Sequence, residues 1–147
     1  MPETETLERA HTDAQEGKAP STQAGEFVRE EMEHAREGKH GVRSAKQAIA
    51  IGLSKARRAG VKLPPPKKSQ ASAKTRAQAK RDSAPSPKRA VSKKRSQATE
   101  AALKREGPQG ASTAALSRQA KQSAQRRGRA NRSNAARKAA RTRAARA

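Results

Sequence analysis

Only twelve of the 147 residues are Leu, Ile, Val or Phe, and eight of those twelve fall between Phe27 and Leu63. Ordering one residue costs roughly 1–2 kcal/mol of backbone entropy, which buried apolar surface must offset. Beyond Leu63 only Val91, Leu103 and Leu116 are available for that purpose. A chain this poor in large apolar residues and this highly charged falls in the compositional range of disorder. The expectation is a mainly α protein: a short amphipathic helix or helix pair at about 22–60, then a long basic Ala/Lys/Arg tail, disordered or transiently helical. The chain divides on this reading into an acidic disordered leader (1–20), a small helical head (21–63), a Pro/Lys/Ser linker (64–85) and a basic Ala/Arg-rich tail with capped helical segments (86–147).

Local signals place the elements of the head. Ser21 or Thr22 can cap a helix over 24–37, with Gly38 as its stop and Val28, Met32 and Ala35 as its apolar stripe. Ser44 followed three residues later by Gln47 reads as a capping box. Ala45, Ala48, Ile49, Gly52, Leu53 and Ala56 then recur at helical spacing, Gly60 supplies a left-handed stop, and Pro64, Pro65 and Pro66 forbid continuation. In the tail, Ser86 with Pro87 opens a stretch closed by Gly107 and Pro108, Ser112 opens another closed by Gly128, and Ser133 opens a last one. Basic residues four apart repel by a few tenths of a kcal/mol per pair, so these helices are expected to be marginal in free solution.

Charge carries the functional reading. Residues 1–37 hold ten Asp/Glu against four Lys/Arg, and residues 38–147 hold three against thirty-one, giving −6 and +28 and the net charge of +22. A nucleic-acid phosphate backbone is the polyanion able to neutralise such a field along its length. Phe27 is the only Phe, Tyr or Trp and lies in the acidic region, so the tail has no aromatic platform for stacking bases. Double-stranded DNA is therefore the expected partner and RNA the second candidate, with no membrane and no small-molecule substrate.

The expected binding residues are Arg57, Arg58, Lys67, Lys68, Lys88, Arg89, Lys93, Lys94, Arg95, Arg126, Arg127, Arg129, Arg132, Arg137, Lys138, Arg141, Arg143 and Arg146. Arginine's planar fork suits phosphate oxygens and the guanine edge, and intervening alanines keep a helix slim enough for a groove. Ser86-Pro87-Lys88-Arg89 is similar to the S-P-K-K element of linker-histone tails, although a serine cap with proline in the first helical turn explains the same residues.

Other chemistries fail on spacing. Cysteine is absent, which removes disulfides and thiolate sites. His11, His34 and His40 show neither H-x-x-x-H nor H-E-x-x-H spacing, so no metal is expected, and no cofactor or catalytic residue either. Gly17-Lys18 and Gly38-Lys39 lack the rest of a phosphate-binding loop. The acidic N-terminus has no apolar targeting segment, so the protein is expected to stay where it is made, in the cytoplasm.

The stretch 39–68, above all S-A-K-Q-A-I-A-I-G-L-S-K-A-R-R-A-G from Ser44 to Gly60, resembles a family of small basic bacterial proteins with a K-Q-A-I-A-I-(A/G)-L-S-(E/K)-A-R-(K/R)-A-G signature. The upstream F-V-R-E-E-M-E-H-A-R-E-G-K-H-G and the final S-N-A-A-R-K-A-A-R-T-R also look like its longer members. The family is of unknown function and is often labelled DNA-binding, so the resemblance implies a bacterial source and no catalytic residue. The expected function is sequence-nonspecific DNA binding of a histone-like or nucleoid-associated kind, not catalysis. Two alternatives use the same residues: an RNA- or ribosome-associated basic protein, and an adaptor that docks a protein partner on Ala45, Ala48, Ile49, Leu53 and Ala56 of the 44–60 helix. The acidic leader is further expected to compete in cis for the basic tail.

Overall fold

The computed structural model describes residues 1–84 and 92–145. They form six α-helices: α1 (Thr4–Gln15), α2 (Pro20–Arg36), α3 (Ala45–Arg58), α4 (Ala73–Ser83), α5 (Lys93–Arg105) and α6 (Thr113–Ala144), with a 3-10 turn at Pro108–Ala111. The chain divides into two compact units, Met1–Ser112 and Thr113–Ala147.

In the first unit, alanine and glycine at the contacts let the helices pack by close approach. Ala10, Ala24, Phe27 and Ala56 form a buried cluster, with Leu53, Val61 and Leu63 partly buried against it. Gly52 sets the contact between α2 and α3, because a Cβ at that position would stand 2.6 Å from the Val28 Cα. Small residues at a crossing let backbones meet and gain dispersion contacts without large side chains. This is how so few Leu, Ile, Val and Phe suffice.

The ends of α3 are those its sequence predicts. Ser44 Oγ accepts from the Gln47 amide at 3.3 Å. The Gln47 side chain reaches back to the Arg43 amide at 2.9 Å, one residue earlier than a standard capping box. At the other end the Gly60 and Val61 amides bond the carbonyls of Arg57 and Ala56, both at 3.0 Å, in a Schellman turn. α2 begins earlier than expected, with Pro20 in its first turn, and ends at Arg36 before a left-handed Gly38.

The expectation of a short helix or helix pair with a disordered leader and tail is overturned. Residues 4–15 are helical and dock on α2: the Glu3 amide donates to Glu30 Oε2 at 3.0 Å, Arg9 Nε to Glu26 Oε2 at 2.6 Å, and Thr6 is fully buried. The stretch expected to be a linker contains α4, capped by Ser72 Oγ on the Thr75 amide at 3.2 Å. The tail holds α5 and the 32-residue α6, which breaks at Gly128 (φ 71°, ψ 165°) and runs through Ser133 without a new start. The physical reason is that alanine's helix propensity, summed over a long segment, exceeds a few tenths of a kcal/mol of repulsion per like-charge pair. The expected Ser86–Pro87 helix start lies outside the described residues, and α5 begins at Lys93.

The first unit is closed by a remote backbone clamp. The Gly41 amide donates to Leu103 O and the Val42 amide to Gly107 O, each at 3.0 Å. Arg36 Nε donates to Ala111 O at 2.9 Å, joining α2 to the 3-10 turn. No helix among the described residues is long and apolar enough to cross a membrane.

Candidate nucleic-acid interface and buried ionic centre

α6 carries Arg118, Lys121, Arg126, Arg127, Arg129, Arg132, Arg137, Lys138, Arg141 and Arg143, all exposed, and no acidic residue. Arg118 and Lys121 were absent from the sequence-based set, although the same composition announces them. At about 3.6 residues per turn, Arg129, Arg132 and Arg143 fall on one side of the helix and Arg137, Lys138 and Arg141 on the opposite side. A helix cationic on both flanks is suited to a groove with phosphates on both walls. Two of these arginines also hold the backbone, Arg127 Nε on Ser123 O at 3.4 Å and Arg132 Nη1 on Ala124 O at 2.9 Å.

The other expected binding residues are placed differently. Lys67, Lys68, Lys93, Lys94 and Arg95 are exposed. Arg58 is tied to Asp82 of α4 through Nε at 3.1 Å and Nη2 at 2.9 Å, and Arg57 Nη2 donates to Pro64 O at 3.5 Å. Arg58 therefore ties α3 to α4 while its side chain stays 63% exposed, and Arg57 holds the chain that follows α3. Burial, the largest influence on Asp82, pushes its carboxyl up, but Ser54, Arg58 and Gln78 together hold it below the usual range. Lys88, Arg89 and Arg146 lie outside the described residues. Of the face assigned to a protein partner, Ala45, Ala48 and Ala56 are buried and Ile49 and Leu53 partly buried within the chain itself.

The first unit, considered by itself, holds a buried ionic centre. Glu30 and Glu31, adjacent on α2, are each 1% exposed. Lys55 of α3 reaches both: its Nζ is 2.9 Å from Glu30 Oε1 and forms an ion pair with Glu31 Oε1. Burial, the largest single influence, pushes the Glu30 carboxyl up, but Lys55, the Glu3 amide and the Thr6 hydroxyl together hold it below the usual range. The same balance runs the other way at Lys55: burial pulls it down, and Glu31 and Glu30 together raise it. Glu3 lies at the edge, where His34 at 2.8 Å and Lys39 at 3.0 Å lower its carboxyl from 4.5 to about 2.

The centre also unites residues that the spacing rules kept apart. One ligand atom each from Glu31, His34 and His40 lies within 4.8 Å of the others. Glu31 and His34 share a face of α2 as i and i+3, and the left-handed Gly38 turns the chain so that His40 returns to that face. A Glu-x-x-His pair followed by a glycine stop and a third donor was the available sequence signal. It is a weak one, because the return of His40 depends on the clamp at Gly41 and Val42.

Residues 18–68, about a third of the chain, match the model of a family of unknown function, DUF6496. The match spans α2, the His40 loop and α3, and contains the 39–68 stretch that carries the resemblance described above. No curated protein and no solved structure matches the chain.

Proposed function

We propose that the chain binds double-stranded DNA without sequence preference, in the manner of a histone-like or nucleoid-associated protein. The observation that carries this reading is α6, ten exposed cations with no acidic residue among them, six of which lie on both flanks of the segment after the Gly128 break. Phosphate contacts neutralise the repulsion between these cations and release counterions, so binding and helix stability reinforce each other. The exposed lysines and arginine at the start of α5 add to the footprint. Phe27 supports duplex over single strands, because the only Phe, Tyr or Trp ring is fully buried and offers no stacking surface. The adaptor alternative gains no support, since three of the five residues of its docking face are buried within the chain.

Fluorescence anisotropy on a labelled duplex across a salt series tests the proposal. Ten phosphate contacts give a slope of log affinity against log salt near about −9. Affinity indifferent to salt would sink the reading, and preferential competition by structured RNA at fixed salt would transfer it to the RNA-associated class.

A further inference from the structure

We propose that Glu31, His34 and His40 form a binding site for a zinc-type divalent cation in the first unit, separate from the nucleic-acid surface. Two imidazoles and one carboxylate are a donor set of borderline softness, matched to Zn²⁺ and its surrogate Co²⁺ and unsuited to Mg²⁺ or Ca²⁺, which take oxygen ligands. In a tetrahedral zinc site the ligand atoms stand about 3.3 Å apart. The present separations, within 4.8 Å, are wider than that value by about 1.5 Å at most.

The surroundings already hold the ligands. His40 is bracketed by backbone bonds, the Lys39 amide to His34 O at 2.9 Å on one side and the Gly41 amide to Leu103 O at 3.0 Å on the other. Its Nδ1 faces Gly41 O at 3.2 Å, the kind of outer partner that fixes a ligating imidazole and leaves Nε2 for the ion. That Nε2 stands 3.4 Å from Glu31 Oε2. A neutral imidazole has one N–H, yet both nitrogens of His40 face oxygen acceptors. A cation between Nε2 and Oε2 resolves the conflict. Glu3, 2.8 Å from His34 Nε2, orients the second ring as a carboxylate does behind a metal-bound histidine. The two rings are neighbours, edge to face, with centroids 5.9 Å apart and planes at 88°.

Charge favours the same occupant. Glu30 and Glu31, each 1% exposed, share the single Lys55, two negative charges against one positive. A chain of net charge +22 thus keeps an excess negative charge in its interior, next to two imidazoles.

Isothermal titration of the full-length protein with Zn²⁺, and visible spectroscopy with Co²⁺, tests the site. One ion per chain is expected, with the strong absorption of tetrahedral Co²⁺ and a raised thermal midpoint. His34→Ala and His40→Ala should each weaken binding at least tenfold, and His11→Ala should not change it. Because only three histidines are present, imidazole NMR of the unaltered protein gives a readout that does not depend on the variants folding: Zn²⁺ should move the His34 and His40 signals and leave His11 in place. Three outcomes would overturn the site: no stoichiometric binding, equal binding by the His34 and His40 variants, or equal shifts at all three histidines.

Discussion

The first 37 residues and helix α6 are both crowded with charge, and they use it in opposite ways. All ten carboxylates before Gly38 except Glu8 stand in an ion pair, with Arg9, Lys18, Arg29, His34, Lys39 or Lys55 as partner. Among the described residues, the ten cations of α6 have no acid on their own helix. In the head, charge has become structure: a lysine shared by two buried glutamates replaces apolar core that the composition does not supply. In α6 the charge remains available to a partner. The expected role of the acidic segment as competitor for the tail must also contend with this pairing, because carboxylates engaged with local cations are weak competitors for a second set.

Salt separates the two regions most sharply. Raising it from 50 to 200 mM should lower DNA affinity by about 10³–10⁵-fold, as for a protein with six to ten phosphate contacts. Urea unfolding of the head, whose central pairs of Lys55 with Glu30 and Glu31 are buried and poorly screened, should change little over the same range. Replacing Arg137, Arg141 and Arg143 together by Gln should reduce the salt slope by about 3 and leave head stability unchanged. Equal salt sensitivity of folding and binding would erase the distinction.

Next in size is the loss of the shared lysine. Lys55→Met leaves Glu30 and Glu31 buried without their cation and should cost about 3–5 kcal/mol of stability, read by circular dichroism in urea. A cost near zero would mean that water reaches the two carboxylates. Gly52→Ala should destabilise by about 1–3 kcal/mol, because the new methyl meets the Val28 backbone and this outweighs the roughly 1 kcal/mol gained in helix propensity. Stabilisation by this substitution would show that α2 and α3 separate at no cost.

The smallest effect is expected at Glu3. Its carboxyl is lowered from 4.5 to about 2, so the folded state binds its proton less readily than the unfolded state. The stability this group contributes is complete above pH 4.5 and is lost as pH falls through about 2. Thermal melts of Glu3→Gln against the parent should therefore differ at pH 5 and converge toward pH 2. A constant difference would mean that His34 and Lys39 do not hold the carboxylate in solution.

The parts of the fold written in local chemistry were legible in the sequence. Ser44, Gln47 and Gly60 announce α3 because caps act within a turn of the residues they satisfy. α1 was missed because its docking rests on bonds between residues far apart in sequence, the Glu3 amide with Glu30 and Arg9 with Glu26. Composition undervalued the rest, since it counts large apolar side chains and not the close approach that Gly52 and the buried alanines permit. Eight of the ten α6 cations could be named individually because exposure requires no partner. The contacts of Arg57 and Arg58 were not legible, because Pro64 and Asp82 come from later parts of the chain. The Glu31, His34 and His40 cluster needed both a turn and a clamp.

That clamp has a consequence in time. Gly41 with Leu103 and Val42 with Gly107 close a loop of roughly sixty residues, and contacts so distant are entropically slow to form. The α2–α3 hairpin requires only residues 20–58 and can close while the rest of the chain is still leaving the ribosome. Pulsed hydrogen exchange should accordingly protect the amides of α3 before those of Gly41 and Val42. His40 gains its fixed position only after residue 107 has been synthesised, so the centre of the head is among the last parts of the unit to mature.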